Sequence, residues 1–278
     1  MSLVDAVLLG AIQGLTEFLP VSSSGHLVIA RRLLGAEFEE AMAFDVFLHL
    51  ATLAAVLVYF RRDLGAMVRA LGAWLGLGPT AEAVGGSLAS QNDHLLRWVW
   101  LLALATVPIA LVGAFFSEHI EAAFSSLPAV GVGLMVTASA LHLSSRRRPG
   151  LREAAELGPW DAIVVGLFQA VAVVPGISRS GTTIAGALMR GLERDAAARF
   201  AFLLSIPAIT AAALKNAGDI AGLALTHPAA LAAGSVVAFA SGWLAIDIMM
   251  RAVRGGRLAP FALYCAVLGA IALVVGVL

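Results

Sequence analysis

The chain has 278 residues, of which 60% are hydrophobic and 13% charged, against about 25% charged in a soluble globular domain; mean hydropathy is +0.92. This composition defines an integral membrane protein and excludes a soluble one, and a net charge of zero gives no electrostatic basis for binding nucleic acid. A single cysteine, Cys265, excludes an internal disulfide and a cysteine-based zinc site.

In chain order, the start Met1-Ser2-Leu3-Val4-Asp5 lacks the basic stretch of a cleavable signal peptide, so insertion falls to the first apolar segments. The segment at about 2–34 is moderately apolar and is broken by Pro20 and Ser22-Ser23-Ser24-Gly25, and neither side reaches the roughly 20 residues that a spanning helix needs. Non-helical backbone at membrane depth is tolerated only where protein or a wet cavity covers it, so this segment reads as a re-entrant helical hairpin. Full spans are expected at about 41–60, 95–116, 122–145, 199–217, 228–250 and 258–278. The stretch 63–94 reads as a surface segment: amphipathic from Asp63 past Arg69, then loop at Gly76-Leu77-Gly78-Pro79, Gly85-Gly86-Ser87 and Asn92-Asp93. A second broken segment at about 160–191 reads as a second re-entrant hairpin.

The two hairpins repeat one phrase. Gly10-x-x-Gln13 followed by Ser22-x-Ser24-Gly25 recurs 156 positions later as Gly166-x-x-Gln169 followed by Ser178-x-Ser180-Gly181, and Gly35 and Phe44 recur as Gly191 and Phe200. The expected fold is therefore an all-α polytopic membrane protein, one integral domain of two inverted-topology repeats at about 1–145 and 150–278, with the binding site between the hairpins. Basic residues follow three spans: Arg61 and Arg62; Arg146, Arg147 and Arg148; Arg251, Arg254 and Arg257. One topology places all three groups in the cytoplasm, both termini outside, and Glu118, His119 and Glu121 in an outer loop, with the hairpins entering from opposite faces. Arg31 and Arg32 then fall outside, against the trend.

Four features carry candidate chemistry. Gln13 and Glu17 are one turn apart on a helix, so an amide carbonyl and a carboxylate share a face and offer oxygen ligands to a hard divalent cation, Mg2+ or Ca2+. Ser22, Ser23, Ser24 and Gly25 form a polar turn suited either to capping a helix or to holding phosphate oxygens. His26 stands beside them as a candidate acid, base or nucleophile. Arg179, within Ser178-Arg179-Ser180-Gly181-Thr182-Thr183, offers a planar fork matched to phosphate; its partner is Glu17 or a bound anion, and the surrounding hydroxyl donors favour the anion. Asp45 and Asp247 lie in apolar spans and need partners. His49, His94, His119, His142 and His227 lack metal-ligand spacing and read as structural or interfacial. The pairs Gly131-x-Gly133 and Gly234-Ser235 suit close helix packing, inside the bundle or between the copies of a homodimer.

Gln13-Gly-Leu-Thr-Glu17 running into Pro20-Val-Ser-Ser-Ser-Gly25-His26, together with Pro175-Gly-Ile-Ser178-Arg179-Ser180-Gly181-Thr182-Thr183, resembles the bacterial undecaprenyl-diphosphate phosphatase family linked with bacitracin resistance. Phe44 to Leu50 and Arg199 to Pro207 are similar to that family as well, so the resemblance covers nearly the whole chain. It implies hydrolysis of undecaprenyl diphosphate to undecaprenyl phosphate and inorganic phosphate, with a divalent cation, at the extracytoplasmic side of the bacterial plasma membrane. Gln13 lies within the family's Glu/Gln alternatives and leaves Glu17 the one carboxylate of its motif. The resemblance places the polyprenyl diphosphate headgroup among Glu17, Ser22, Ser23, Ser24, Gly25, His26, Ser178, Arg179, Ser180, Gly181, Thr182 and Thr183. It leaves the nucleophile open between His26, Ser23 and water. A lipid-phosphate transporter is the competing class, since broken helices in inverted repeats also build transporters. In this reading His49 is peripheral, and His49→Ala is expected to leave phosphate release nearly unchanged.

Overall fold

The computed structural model describes residues 2–35, 41–77, 86–124, 126–146 and 150–277. Among them are thirteen α-helices: α1 Leu3–Phe18, α2 Ser23–Leu34, α3 Ala41–Tyr59, α4 Arg61–Trp74, α5 Gly86–Phe115, α6 Ser117–Phe124, α7 Leu127–Ser145, α8 Pro159–Val171, α9 Arg179–Met189, α10 Arg194–Lys215, α11 Ala217–Thr226, α12 Pro228–Arg254 and α13 Ala259–Val277. Six are long and apolar enough to cross a membrane (α3, α5, α7, α10, α12 and α13), at the six places the sequence indicates. Their outer faces carry the apolar surface: Leu263, Val267, Ile271 and Val274 on α13 are all more than half exposed, the pattern expected where lipid is the solvent. One expectation fails. Gly86-Ser87 and Asn92-Asp93 are helical rather than loop, because α5 extends its span toward the surface by two polar turns. Gly78, Pro79, Gly85, Arg147 and Arg148 lie outside the described residues, as do the side chains of Glu118, His119 and Glu121.

The two broken segments form helical hairpins, α1–α2 and α8–α9. Their arms have 16, 12, 13 and 11 residues, at most about 24 Å at ~1.5 Å per residue and short of the ~30 Å hydrocarbon. Each begins with the same device. Asp5 accepts from the Ser2 amide at 3.1 Å, and Asp161, 156 positions on, accepts from the Gly158 amide at 3.0 Å, satisfying first-turn donors. The first hairpin breaks where Pro20 forces Leu19 into extended backbone. The second breaks at Pro175-Gly176, with Gly176 at φ 88.

Equivalent residues of the two halves make equivalent contacts. A Cβ on Gly10 would lie 2.4 Å from the carbonyl oxygen of Gly234 on α12, and one on Gly166 would lie 2.4 Å from that of Ala105 on α5. The first arm of each hairpin thus crosses the long helix of the other half at backbone contact, which explains why this glycine is repeated. The hairpin tips meet reciprocally: a Cβ on Gly25 would touch Gly176 at 3.2 Å, and one on Gly181 would touch Pro20 at 3.1 Å. Each tip is braced from outside. Thr137 on α7 accepts from the Ser178 amide at 2.8 Å and donates to the Gly176 carbonyl at 3.1 Å, while Cys265 on α13 donates to the Pro20 carbonyl at 3.4 Å. Gly131, Gly133 and Gly234 all pack within the chain, against α13, the second tip and α1 respectively, so these small-residue positions are taken up inside the bundle. Beneath the tips lies an aromatic core of Phe18, Phe60, Phe200 and Phe202, with Phe18 and Phe202 edge to face at 5.7 Å.

At one end of the bundle, Arg199 joins Asp63 at 3.0 Å and Asp195 at 2.5 Å, and Arg254 joins Asp195 at 2.6 Å. Arg152 and Arg190 close on Asp161 at 2.8 and 2.6 Å. The first of these networks ties the first turn of α4 and the last turn of α12 to the start of α10. Replacing Gly10 or Gly166 by valine should lower stability by about 1–3 kcal/mol through overpacking. Gly72→Ala, with nothing within 4 Å, should be neutral; thermal unfolding in detergent measures both.

A candidate active site at the hairpin tips

Glu17 lies on the last turn of α1, with 4% of its side chain exposed. Its partners come from its own helix, from the start of α2, from α3 and from the opposite hairpin. Gln13, one turn earlier, donates from Nε2 to Oε2 at 3.0 Å. Ser23, on the first turn of α2, donates its hydroxyl to the same oxygen at 2.5 Å. His49, in the middle of α3, brings Nε2 to 3.3 Å from it. The other oxygen, Oε1, pairs with Nη2 of Arg179 from the opposite hairpin. Arg179 is also held by its Nη1, which donates to the Ser205 carbonyl at 3.3 Å. Of the two partners the sequence allows for Arg179, Glu17 lies within direct reach and supplies the counter-charge that a guanidinium needs in a low-dielectric site.

The backbone adds a second charge effect. α2 starts at Ser22, whose hydroxyl accepts from the Gly25 amide at 3.3 Å, and α9 starts at Ser178, whose hydroxyl accepts from the Gly181 amide at 3.1 Å. Both helix N-termini converge on the Glu17–Arg179 pair, and both dipoles favour negative charge there. Ser22 adopts φ 71, the one positive φ outside glycine among the described residues. Such backbone costs on the order of 1–3 kcal/mol and persists where its surroundings fix it.

The other expected residues divide by what they touch. Ser24 bonds Ser22 at 3.2 Å within its own tip, whereas Ser180 bonds Ser178 at 3.2 Å and donates to the Leu19 carbonyl at 3.2 Å, so Ser180 belongs to the tip contact. Gly25 and Gly181 let the tips approach. Thr182 and Thr183 turn their hydroxyls to their own helix, donating to the carbonyls of Ser178 at 2.8 Å and Arg179 at 2.7 Å. His26 is near in sequence but bonded elsewhere: its nitrogens meet the Ser22 carbonyl at 2.8 Å and the Tyr264 hydroxyl at 2.7 Å.

His49 is the residue the sequence reading misplaced. It is in direct contact with Glu17 rather than peripheral, and its Nδ1 donates to the Asp45 carbonyl at 2.6 Å. The Asp45 carboxylate pairs with Arg31, which gives a counter-charge to a part-buried arginine that the charge pattern leaves out of place. The signal available in the sequence was the spacing: two ionisable residues one turn apart inside an apolar span.

Gln13 and Glu17 fit a hard divalent cation as partial ligands. Gln13 Oε1 is buried and accepts no hydrogen bond, while Glu17 is one carboxylate already ringed by donors. Among the described residues no three His, Cys, Asp or Glu side chains group as a metal site, so the remaining ligands would come from phosphate oxygens and water.

Fold and site together define a multi-pass helical membrane protein whose polar centre lies where two helical hairpins cross. The family model described as bacitracin resistance protein BacA matches residues 6–271, and the chain belongs to that family. It is 44% identical to the undecaprenyl-diphosphatase of Syntrophotalea carbinolica over 97% of both chains. It is also 42% identical to that of Desulfosudis oleivorans over 99% of both chains, and 38% identical to that of Methanosphaera stadtmanae over 100% of this chain and 99% of the other. The family that the two motifs resemble is the family found.

Removing Glu17 alone leaves a part-buried guanidinium without its counter-charge, and should cost up to about 3 kcal/mol, the low end for a buried pair. The double variant Glu17→Gln with Arg179→Gln should cost clearly less than the two single changes added together, a coupling that unfolding measurements on all four proteins would read.

Proposed function

We propose that this protein hydrolyses undecaprenyl diphosphate to undecaprenyl phosphate and inorganic phosphate, returning the lipid carrier to cell-wall synthesis. The carrying observation is the Ser23 hydroxyl donating to the Glu17 carboxylate at 2.5 Å, with Arg179 on the same carboxylate from the other hairpin. It gathers a nucleophile, a base and an anion clamp, and a pure lipid-phosphate transporter needs only the clamp.

In this reading the diphosphate lies at the two helix N-termini and the prenyl chain leaves between helices into lipid. Glu17 takes the Ser23 proton as Oγ attacks the terminal phosphorus. The bond from that phosphorus to the bridging oxygen breaks, and undecaprenyl phosphate departs with the bridging oxygen. Water then cleaves the seryl phosphate. Arg179 holds the equatorial oxygens, where charge spreads in the transition state. Ser22, Ser24, Gly25, Ser178, Ser180 and Gly181 shape the phosphate cradle through backbone amides and the tip contact. Thr182 and Thr183 fix the first turn of α9. His49 holds the Glu17 carboxylate in position. Gln13 and Glu17 would hold the Mg2+ or Ca2+ ion, which when bound neutralises phosphate charge. The site opens to the extracytoplasmic side of the bacterial plasma membrane, and carrier recycling accounts for the bacitracin resistance in the family's description.

Phosphate release from undecaprenyl diphosphate in detergent, with and without Mg2+, tests this. Ser23→Ala and Arg179→Ala should each lose at least about a hundredfold, the scale of a lost transition-state donor, and Arg179→Lys should recover part because it keeps charge but not the fork. His49→Ala, contrary to the sequence expectation, should lose about tenfold or more, the worth of a hydrogen bond to a charged group at about 1.5–3 kcal/mol. Rapid quenching with labelled substrate should trap phosphate on Ser23. Label on His26 would reassign the nucleophile, and substrate binding without release under any cation would leave the transporter.

A further inference from the structure

His26 has its two nitrogens in unlike surroundings. Nδ1 is 2.8 Å from the Ser22 carbonyl, which only accepts, so Nδ1 carries the proton. In the neutral ring Nε2 is then the basic nitrogen, and the atom facing it at 2.7 Å is the hydroxyl of Tyr264 on α13. The two rings stack with centroids 5.6 Å apart and planes 9° from parallel. The contact joins residues 238 apart in sequence, on opposite halves of the chain.

Two observations make this more than packing. The adjacent residue, Cys265, donates to the Pro20 carbonyl, so one step of α13 grips the first tip on both sides of Ser22 and Ser23. The other tip has a comparable brace in α7, but there Thr137 reaches only backbone, the Ser178 amide and the Gly176 carbonyl. On the first tip the brace ends on a side chain that can take a proton. Tyr264 is also 46% exposed, so its phenol lies at the edge of the bundle and has room to turn.

We propose that Tyr264 is a positioning residue for His26: its hydroxyl donates to Nε2 and fixes the ring, with the proton on Nδ1, in the orientation that turnover uses. The structural part stands by itself, and the catalytic part rests on the phosphatase reading.

Tyr264→Phe keeps the stacked ring and removes the hydroxyl. The first measurement is the rate at which diethyl pyrocarbonate acylates His26 in the purified protein, mapped by mass spectrometry with His227 as internal reference. Freed of a hydrogen bond worth about 1 kcal/mol, Nε2 should react about fivefold faster in the variant, with His227 unchanged. Equal rates at His26 would overturn the proposal. The second measurement is turnover: kcat should fall severalfold with KM steady. A change in KM alone would make Tyr264 a wall for the lipid tail and also overturn it. Wild-type protein that releases no phosphate would remove the phosphatase reading while leaving the acylation result to decide the His26–Tyr264 contact. Should Tyr264→Phe fold poorly, reactivity of wild-type His26 below that of the free imidazole probe N-acetylhistidine gives the same decision.

Discussion

The ion pair between buried Glu17 and part-buried Arg179 governs the rest. Neither charge is tolerable alone at membrane depth, and each is carried by a different hairpin, so the hairpins must meet tip to tip. That meeting explains the short arms, the glycines that let each arm lie against a long helix of the other half, and the helices α7 and α13 braced behind each tip. It also explains why irregular backbone survives at membrane depth, since the loops are covered by each other and by those braces.

Around this pair the protein accumulates features that cost stability in themselves. Two helix N-termini aim at one point. Ser22 holds a backbone conformation that favours glycine. Asp45 keeps a buried carboxylate oxygen without a hydrogen-bond partner, and so does the amide of Gln13. Arg31, Asp45 and His49 form a second layer that reaches the Glu17 carboxylate from α3 and α2. Local rules are broken most densely where chemistry is expected.

Much of this was readable from the residues. The spans announce themselves by length, because lipid leaves no alternative to a helix of about 20 apolar residues. The hairpins announce themselves through Pro20, the serine run and Pro175-Gly176. The nearness of Glu17 and Arg179 follows from the repeated phrase. What stayed hidden has a common cause: contacts across the fold leave no local mark. Nothing near Tyr264 in sequence points to His26, and nothing near Gly234 points to Gly10. His49 looks like any histidine in an apolar helix until α3 is laid beside α1. The polar first turns of α5 read as loop because their composition is that of a surface, and tertiary extension of a long helix overrode it.

The reciprocal tip contacts, Gly25 on Gly176 and Gly181 on Pro20, have the form of a two-fold dimer interface folded into one chain. In a dimer of identical halves every residue near the axis arrives in duplicate. A carboxylate at position 17 would have a twin at 173, and a guanidinium at 179 would displace the hydroxyl at 23. The joined chain carries Val173 against Glu17, Ser205 against His49 and Arg179 against Ser23. Tethering the halves releases each pair of mates from having to match, and that freedom lets a single pocket hold a serine hydroxyl, a carboxylate and a guanidinium at the same time.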